Sequence, residues 1–211
     1  KFSFLIENNL YFVAAQLVKE AISEKLPQQD LLSMCAHLRD KGQIDFAIQL
    51  LEQINFKWPN NEEIVLELAN SYVQKKMYYA ATLILEKALP TLPNLAEKTA
   101  ELLRYTGKTY RAERIMPLIL NPQKQLRQKL AIFLASEHFH KITHLDAQLN
   151  QQGLLQDDEI RYALAFSYYQ QGVFDKAEWH LNKISREDLF QKAVEIKNNI
   201  SPCQKSRLFC Y

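Results

Sequence analysis

Glycine is scarce in this chain: four residues in 211, beside seven prolines, three cysteines and two tryptophans. So little glycine and proline excludes a fold dominated by tight turns, such as a β-sandwich, and excludes a low-complexity linker. Cys35, Cys203 and Cys210 are too few for a disulfide-stapled scaffold and lack the paired spacing of a zinc ribbon. No run of eighteen apolar residues occurs, so no membrane-spanning helix is encoded. A Gly-rich phosphate loop, a nucleophile elbow and a His-Glu-x-x-His pair are also missing. The formal net charge is only +2, which gives no strong field of one sign. What remains is a chain that is 47% hydrophobic, enough to bury a core.

That apolar content is periodic. Met34, Cys35, Leu38, Ala47, Leu51, Ile54 and Pro59 recur 34 residues later as Leu68, Ala69, Tyr72, Ala81, Leu85, Ala88 and Pro93. Each position keeps its size class, and a period of this length marks one supersecondary unit stacked on copies of itself. Leu68, Ala69 and Tyr72 share one face of a first helix; Ala81, Leu85 and Ala88 share one face of a second. Small residues at Ala69 and Ala81 permit close approach of the two helices. Gly42, Gly107 and Gly172 fall at the turn between helices, where a positive φ ends a helix at little cost. Pro59 and Pro93 follow the second helix and stop it.

With these positions in phase the chain resembles the tetratricopeptide-repeat (TPR) family. The clearest copy runs from Leu164-Ala165 through Tyr168, Gly172, Phe174 and Ala177 to Leu181 and Ile184, with Arg161 where the family opens on Trp. The resemblance implies an all-α, right-handed superhelical solenoid of antiparallel helix pairs. The expected organisation is a single solenoid over 1–200: a partial copy at 1–27, copies at 28–61 and 62–95, a shortened one at 94–122, a degenerate one at 123–152 and the last at 158–185. A capping helix over 186–200 and a tail over 201–211 complete it. Within the first copy, Leu10 to Ile22 reads as a second helix whose partner is incomplete, which suggests a fragment or a processed form. The nearest thing to a seam is Leu120-Asn121-Pro122, where the phase slips. Ser185-Arg186-Glu187-Asp188 resembles a capping box for the last helix, and Ser201-Pro202 would end it.

In such a fold the first helix of each pair lines a concave groove, at its second, fifth, ninth, twelfth and thirteenth positions. In the last copy these are Glu159, Tyr162, Phe166, Tyr169 and Gln170. Tyr162, Phe166 and Tyr169 are candidate anchors for a bound segment, since aromatics dominate interface hot spots; the alternative is packing against the capping helix or neighbouring copies. In the 62–95 copy the groove shows Leu66, Asn70 and Val73, and the shortened copy offers Arg104. Asn70 could bond a peptide backbone or simply be solvated. The family's clamp for chaperone C-terminal carboxylates needs a lysine at position five beside asparagine at nine; Leu66 stands there, so that use is excluded.

Charge and histidine supply weaker signals. Lys98, Arg104, Lys108, Arg111, Arg114, Lys124, Arg127 and Lys129 face only Glu101 and Glu113 over that stretch, a basic patch for an anionic polymer or a solvated helix face. No interleaved aromatics accompany it, which disfavours nucleic acid. His140 and His144 have a metal-compatible spacing but no supporting ligand. No catalytic residue, metal or cofactor is expected. Cys35 occupies a small-residue packing position, as a buried thiol; Cys203 and Cys210 could close a loop in an oxidising compartment or stay free in the cytosol. The expected partner is a protein or peptide segment, with homo-oligomerisation open. Gln-, Lys- and Asn-rich composition suggests a bacterial secretion or envelope-assembly accessory, cytoplasmic or periplasmic. A scaffold region of a larger enzyme or membrane-associated protein is the alternative.

Overall fold

The computed structural model describes residues 1–24 and 26–205, the last five by backbone alone, and its regular structure is entirely helical among them. Contacts divide the chain into two units, Lys1–Leu102 and Leu103–Tyr211. The division falls inside a helix, upstream of Leu120-Asn121-Pro122. Unit 1 holds α1 (Phe2–Glu7), α2 (Tyr11–Ser23), α3 (Gln28–Asp40), α4 (Ile44–Lys57), α5 (Glu62–Gln74) and α6 (Tyr78–Ala88). A 3₁₀ turn at Pro93–Leu95 leads into α7 (Ala96–Tyr105), which crosses the division. Unit 2 contains α8 (Thr109–Ile115), α9 (Pro122–Ala135), α10 (Phe139–Thr143), α11 (Asp146–Gln151), α12 (Asp158–Gln170), α13 (Phe174–Leu181) and α14 (Glu187–Lys205). Within each unit the helices follow one another in pairs joined by short turns.

One backbone device makes every pair. At the α3/α4 turn the Gln43 N–H donates to the Leu38 carbonyl at 2.9 Å and the Gly42 N–H to Arg39 at 2.8 Å. This is a Schellman motif, with Gly42 in the left-handed region at φ 76°. The same two bonds recur at Asn9/Leu10, Lys76/Met77, Gly107/Lys108, Glu137/His138 and Gly172/Val173. In each case the second residue of the turn is also the N-cap of the next helix. Its carbonyl receives the N–H four residues on, from Ala14, Ala47, Ala81, Ala112, Ile142 or Ala177, and all six side chains are fully buried. A short reverse turn thus drives one side chain into the core of each pair, alanine in five of the six and Ile142 in the degenerate copy; where alanine fills it, a larger residue would overpack the pair. Asn9, Lys76 and Glu137 adopt positive φ without being glycine. That is why copies lacking the glycine keep the turn.

Several expectations are corrected in detail. The degenerate copy's second helix is broken into α10 and α11, with His144 outside both as the C-cap of α10. Pro93 opens a 3₁₀ turn, α6 having already ended at Ala88. The start of α14 is not a local capping box: Asp158 of α12 accepts from the Ser185 N–H at 2.9 Å, the Ser185 hydroxyl at 3.0 Å and the Arg186 N–H at 2.8 Å. A carboxylate from another helix thus accepts from the two amides that lead into α14. Nor does α14 stop at Ser201-Pro202; it continues to Lys205. Proline removes one intrahelical bond without ending the helix there.

Three first helices of pairs start on their own caps, Asn61 for α5, Asn121 for α9 and Asp157 for α12, each accepting from a following amide. In unit 1 the core runs through Leu31, Leu38, Leu51, Ile54, Ile64 and Leu68. Cys35 is buried among these helices, and its thiol is pushed up to about 12, first by burial and then by the Glu67 carboxylate. Cys210 lies outside the described residues, as does the side chain of Cys203.

Candidate partner-binding cleft

The first turn of α12 is fixed twice over. Asp157 caps it, accepting from the Glu159 N–H at 3.0 Å, and also holds Arg127 of α9 at 2.5 Å. The far end is fixed by Tyr168, whose hydroxyl donates to Asp146 of α11 at 2.8 Å. Buried His180 of α13 places its Nε2 3.3 Å from the same carboxylate oxygen and stacks on the Tyr168 ring. Asp146 is thereby held below the usual carboxylate range, chiefly by the His180 bond, against the opposing effect of burial. Tyr72 of α5 uses the same device, donating to Glu52 of α4. Each tyrosine ties its helix to the one before it.

With α12 clamped at both ends, its free face opens on a cleft of about 550 Å³. Glu159, Tyr162, Phe166 and Gln170 line it, together with Ala163. Leu134 and Phe139 close one side, from α9 and α10, and Leu189 and Lys192 of α14 close the other. Glu137, in the α9/α10 turn, stands at the rim. Phe139 meets Phe166 edge to face with ring centroids 5.6 Å apart. The Tyr162 hydroxyl is raised above its ordinary value by burial and then by the charge of Glu195.

The three candidate aromatics do not act together. Tyr162 and Phe166 share the cleft, whereas Tyr169 lies beside Phe174 of α13, centroids 6.1 Å apart. On α5, Asn70 is exposed and Leu66 half-buried, while Val73 packs against the unit 1 core. Arg104 sits half-buried near the end of α7, its Nε buried without a hydrogen-bond partner among the described residues. Of the basic stretch, Lys98 pairs with Glu101 at 3.4 Å and Arg127 with Asp157 at 2.5 Å. No group of three or more metal-ligating side chains occurs among the described residues. No helix among them is long and apolar enough to cross a membrane.

Leu134, Phe139, Leu189, Lys192 and Glu137 were not singled out from sequence. A signal existed for two of them: Glu137-His138-Phe139 repeats the Gly172-Val173-Phe174 pattern with glutamate in place of glycine. Aligning on the aromatic would have fixed the register of the degenerate copy.

Scanned against family models and against curated proteins, the chain has no match. A solved structure described as "MamA MSR-1 C2" is similar over 94% of this chain and 93% of that one, at 18% identity and a TM-score of 0.37.

Proposed function

We propose that this chain is a non-catalytic scaffold that holds a segment of a partner protein, with the α12 cleft as the seat. One observation carries the proposal. Four of the five positions expected to line the groove of the last copy, Glu159, Tyr162, Phe166 and Gln170, lie around one cleft with an aromatic floor. Aromatic side chains in a partly enclosed, desolvated setting supply most of the energy of typical protein interfaces. The clamping of α12 through Asp157, Tyr168 and Asp146 keeps those rings in place before a partner arrives, which lowers the ordering cost of binding.

A photo-crosslinking amino acid at Phe166, compared with the same group at exposed Trp179 on α13, tests this in lysate of the source cells. Adducts formed at 166 and absent at 179, and competed by the unlabelled chain, support the proposal. Equal adducts at both positions, or none at 166, refute it. The broader pathway, whether secretion, envelope assembly or support of a larger enzyme, would follow from the identity of the adduct.

A further inference from the structure

We propose that the α12 cleft takes a basic segment, with an apolar side chain seated on Phe166 and a lysine or arginine beside it facing Glu137. The inference rests on the cleft being the partner seat proposed above, and it comes from the charges around the rim. Four carboxylates stand there: Glu137 and Glu159 line the cleft, Asp188 adjoins lining Leu189, and Glu195 acts on the Tyr162 hydroxyl. Among the described residues, the cations that the contacts place with them are Arg186 and Lys192. The Arg186 guanidinium is fully engaged, bonding Asp188 through Nε at 2.9 Å and Nη2 at 2.6 Å and Glu159 through Nη1 at 2.7 Å. Lys192 sits on α14 four residues after Asp188 and three before Glu195, so the two charged neighbours on its helix face are acidic.

The flanking groups do not reverse this balance. Lys141 is held by Glu113 at 3.2 Å and lies over the Phe133 ring. Glu137 is exposed at the turn and has no ion pair among the described residues. An incoming cation there meets a carboxylate without an ion pair among the described residues, in the same cleft as the rings of Tyr162 and Phe166, and aromatic faces attract positive charge. An acidic segment would meet the same carboxylates as like charges.

The test uses the full chain and three labelled fifteen-residue helical peptides. They share leucine and phenylalanine at i, i+3, i+4 and i+7 and differ only in polar-face residues: Lys/Arg, Gln/Ser or Glu. Fluorescence anisotropy is measured at low and high salt. The basic peptide is expected to bind about tenfold more tightly than the acidic one, with an advantage that shrinks as salt rises. Glu137→Gln is expected to weaken the basic peptide about threefold and leave the neutral one unchanged. Phe166→Ala is expected to weaken both. Equal or better binding of the acidic peptide, or no loss with Glu137→Gln, overturns the basic preference while the cleft stands. Binding untouched by Phe166→Ala, or no binding of the basic peptide at all, removes the cleft as the seat and the preference with it.

Discussion

Replacing Lys76 by glycine should make the protein more stable, although it deletes a side chain and adds backbone freedom. Lys76 holds φ at 61° in the α5/α6 turn, where an L-residue with a Cβ costs roughly 1–2 kcal/mol. Glycine removes that cost and gives back about 0.5–1 kcal/mol in unfolded-state entropy. The expected net gain is therefore about 0.5–1 kcal/mol. Gly172→Ala is the reverse experiment, because nothing lies within 4 Å of a Cβ built there and no clash contributes. It should lose about 1 kcal/mol from backbone conformation alone. Asn9→Gly is the control, with an expected change near zero. Asparagine tolerates the left-handed region, and its side chain also accepts from the Tyr11 hydroxyl at 2.5 Å. Urea titrations followed by far-UV circular dichroism give the midpoints, with an unchanged slope as the check that only stability moved. In a chain of 211 residues each 1 kcal/mol corresponds to about 2–4 °C in Tm. A neutral Gly172→Ala, or a destabilised Lys76→Gly, would show that the turn is set by the helices on either side and not by its own left-handed residue.

Other substitutions test other links. Ala81→Leu inserts three carbons where the α5/α6 crossing leaves no exposed surface, and should cost about 1–3 kcal/mol in the same titration. Asp158→Ala leaves the Ser185 and Arg186 amides, just before α14, without their acceptor and should cost about 1 kcal/mol near neutrality. Burial alone would raise the Asp158 carboxyl, but bonds from Ser185 and Arg186 outweigh it and hold it below its ordinary value. A depressed folded pKa contributes stability above the unfolded value and loses it as pH falls through the folded one, so the gap between wild type and Asp158→Ala should close below about pH 4. In a Cys203→Ser/Cys210→Ser background, Cys35 should resist a thiol reagent at pH 8 until urea unfolds the chain, since its thiol is pushed up to about 12. Reaction in the native state at the rate of a free thiol would contradict its burial.

The helix pairs were legible because size at fixed spacing is a local property. Ala47 and Ala81 announce the crossing, and Leu51 and Leu85 the contact beside it, whatever lies further along the chain. The turn was legible only through glycine. At Lys76 and Glu137 the backbone bonds are the same, but the residue types carry no conformational mark. On α12 the groove face could be placed because its register was secure. The opposite walls could not: Leu134 and Phe139 belong to the copy whose glycine is missing, and Leu189 and Lys192 to a helix outside the repeat. The cap of α14 was misplaced for a related reason, since its acceptor, Asp158, comes from the preceding pair.

These non-local bonds follow a rule that the repeat itself explains. Arg39 bonds Glu67, Asn61 bonds Gln28, Lys141 bonds Glu113, and Arg186 bonds Glu159 and caps on Asp158. Each pair is separated by roughly one repeat, so each joins positions that stacking brings side by side in neighbouring copies. A periodic core by itself would allow a copy to slide or rotate on its neighbour at modest cost, because apolar contact has little directional preference. Charged and hydrogen-bonded pairs are directional, and a shifted copy would leave them unpaired. The polar pairs therefore set the stagger between copies while the alanines set their closeness. On this reasoning Asp157 has two roles: it starts α12 and, through Arg127, fixes α12 against α9. Leu134 of α9 and Tyr162 of α12 line the same cleft, so a shift of α12 against α9 would change its walls, although the Arg127–Asp157 salt bridge that resists such a shift is not part of its lining.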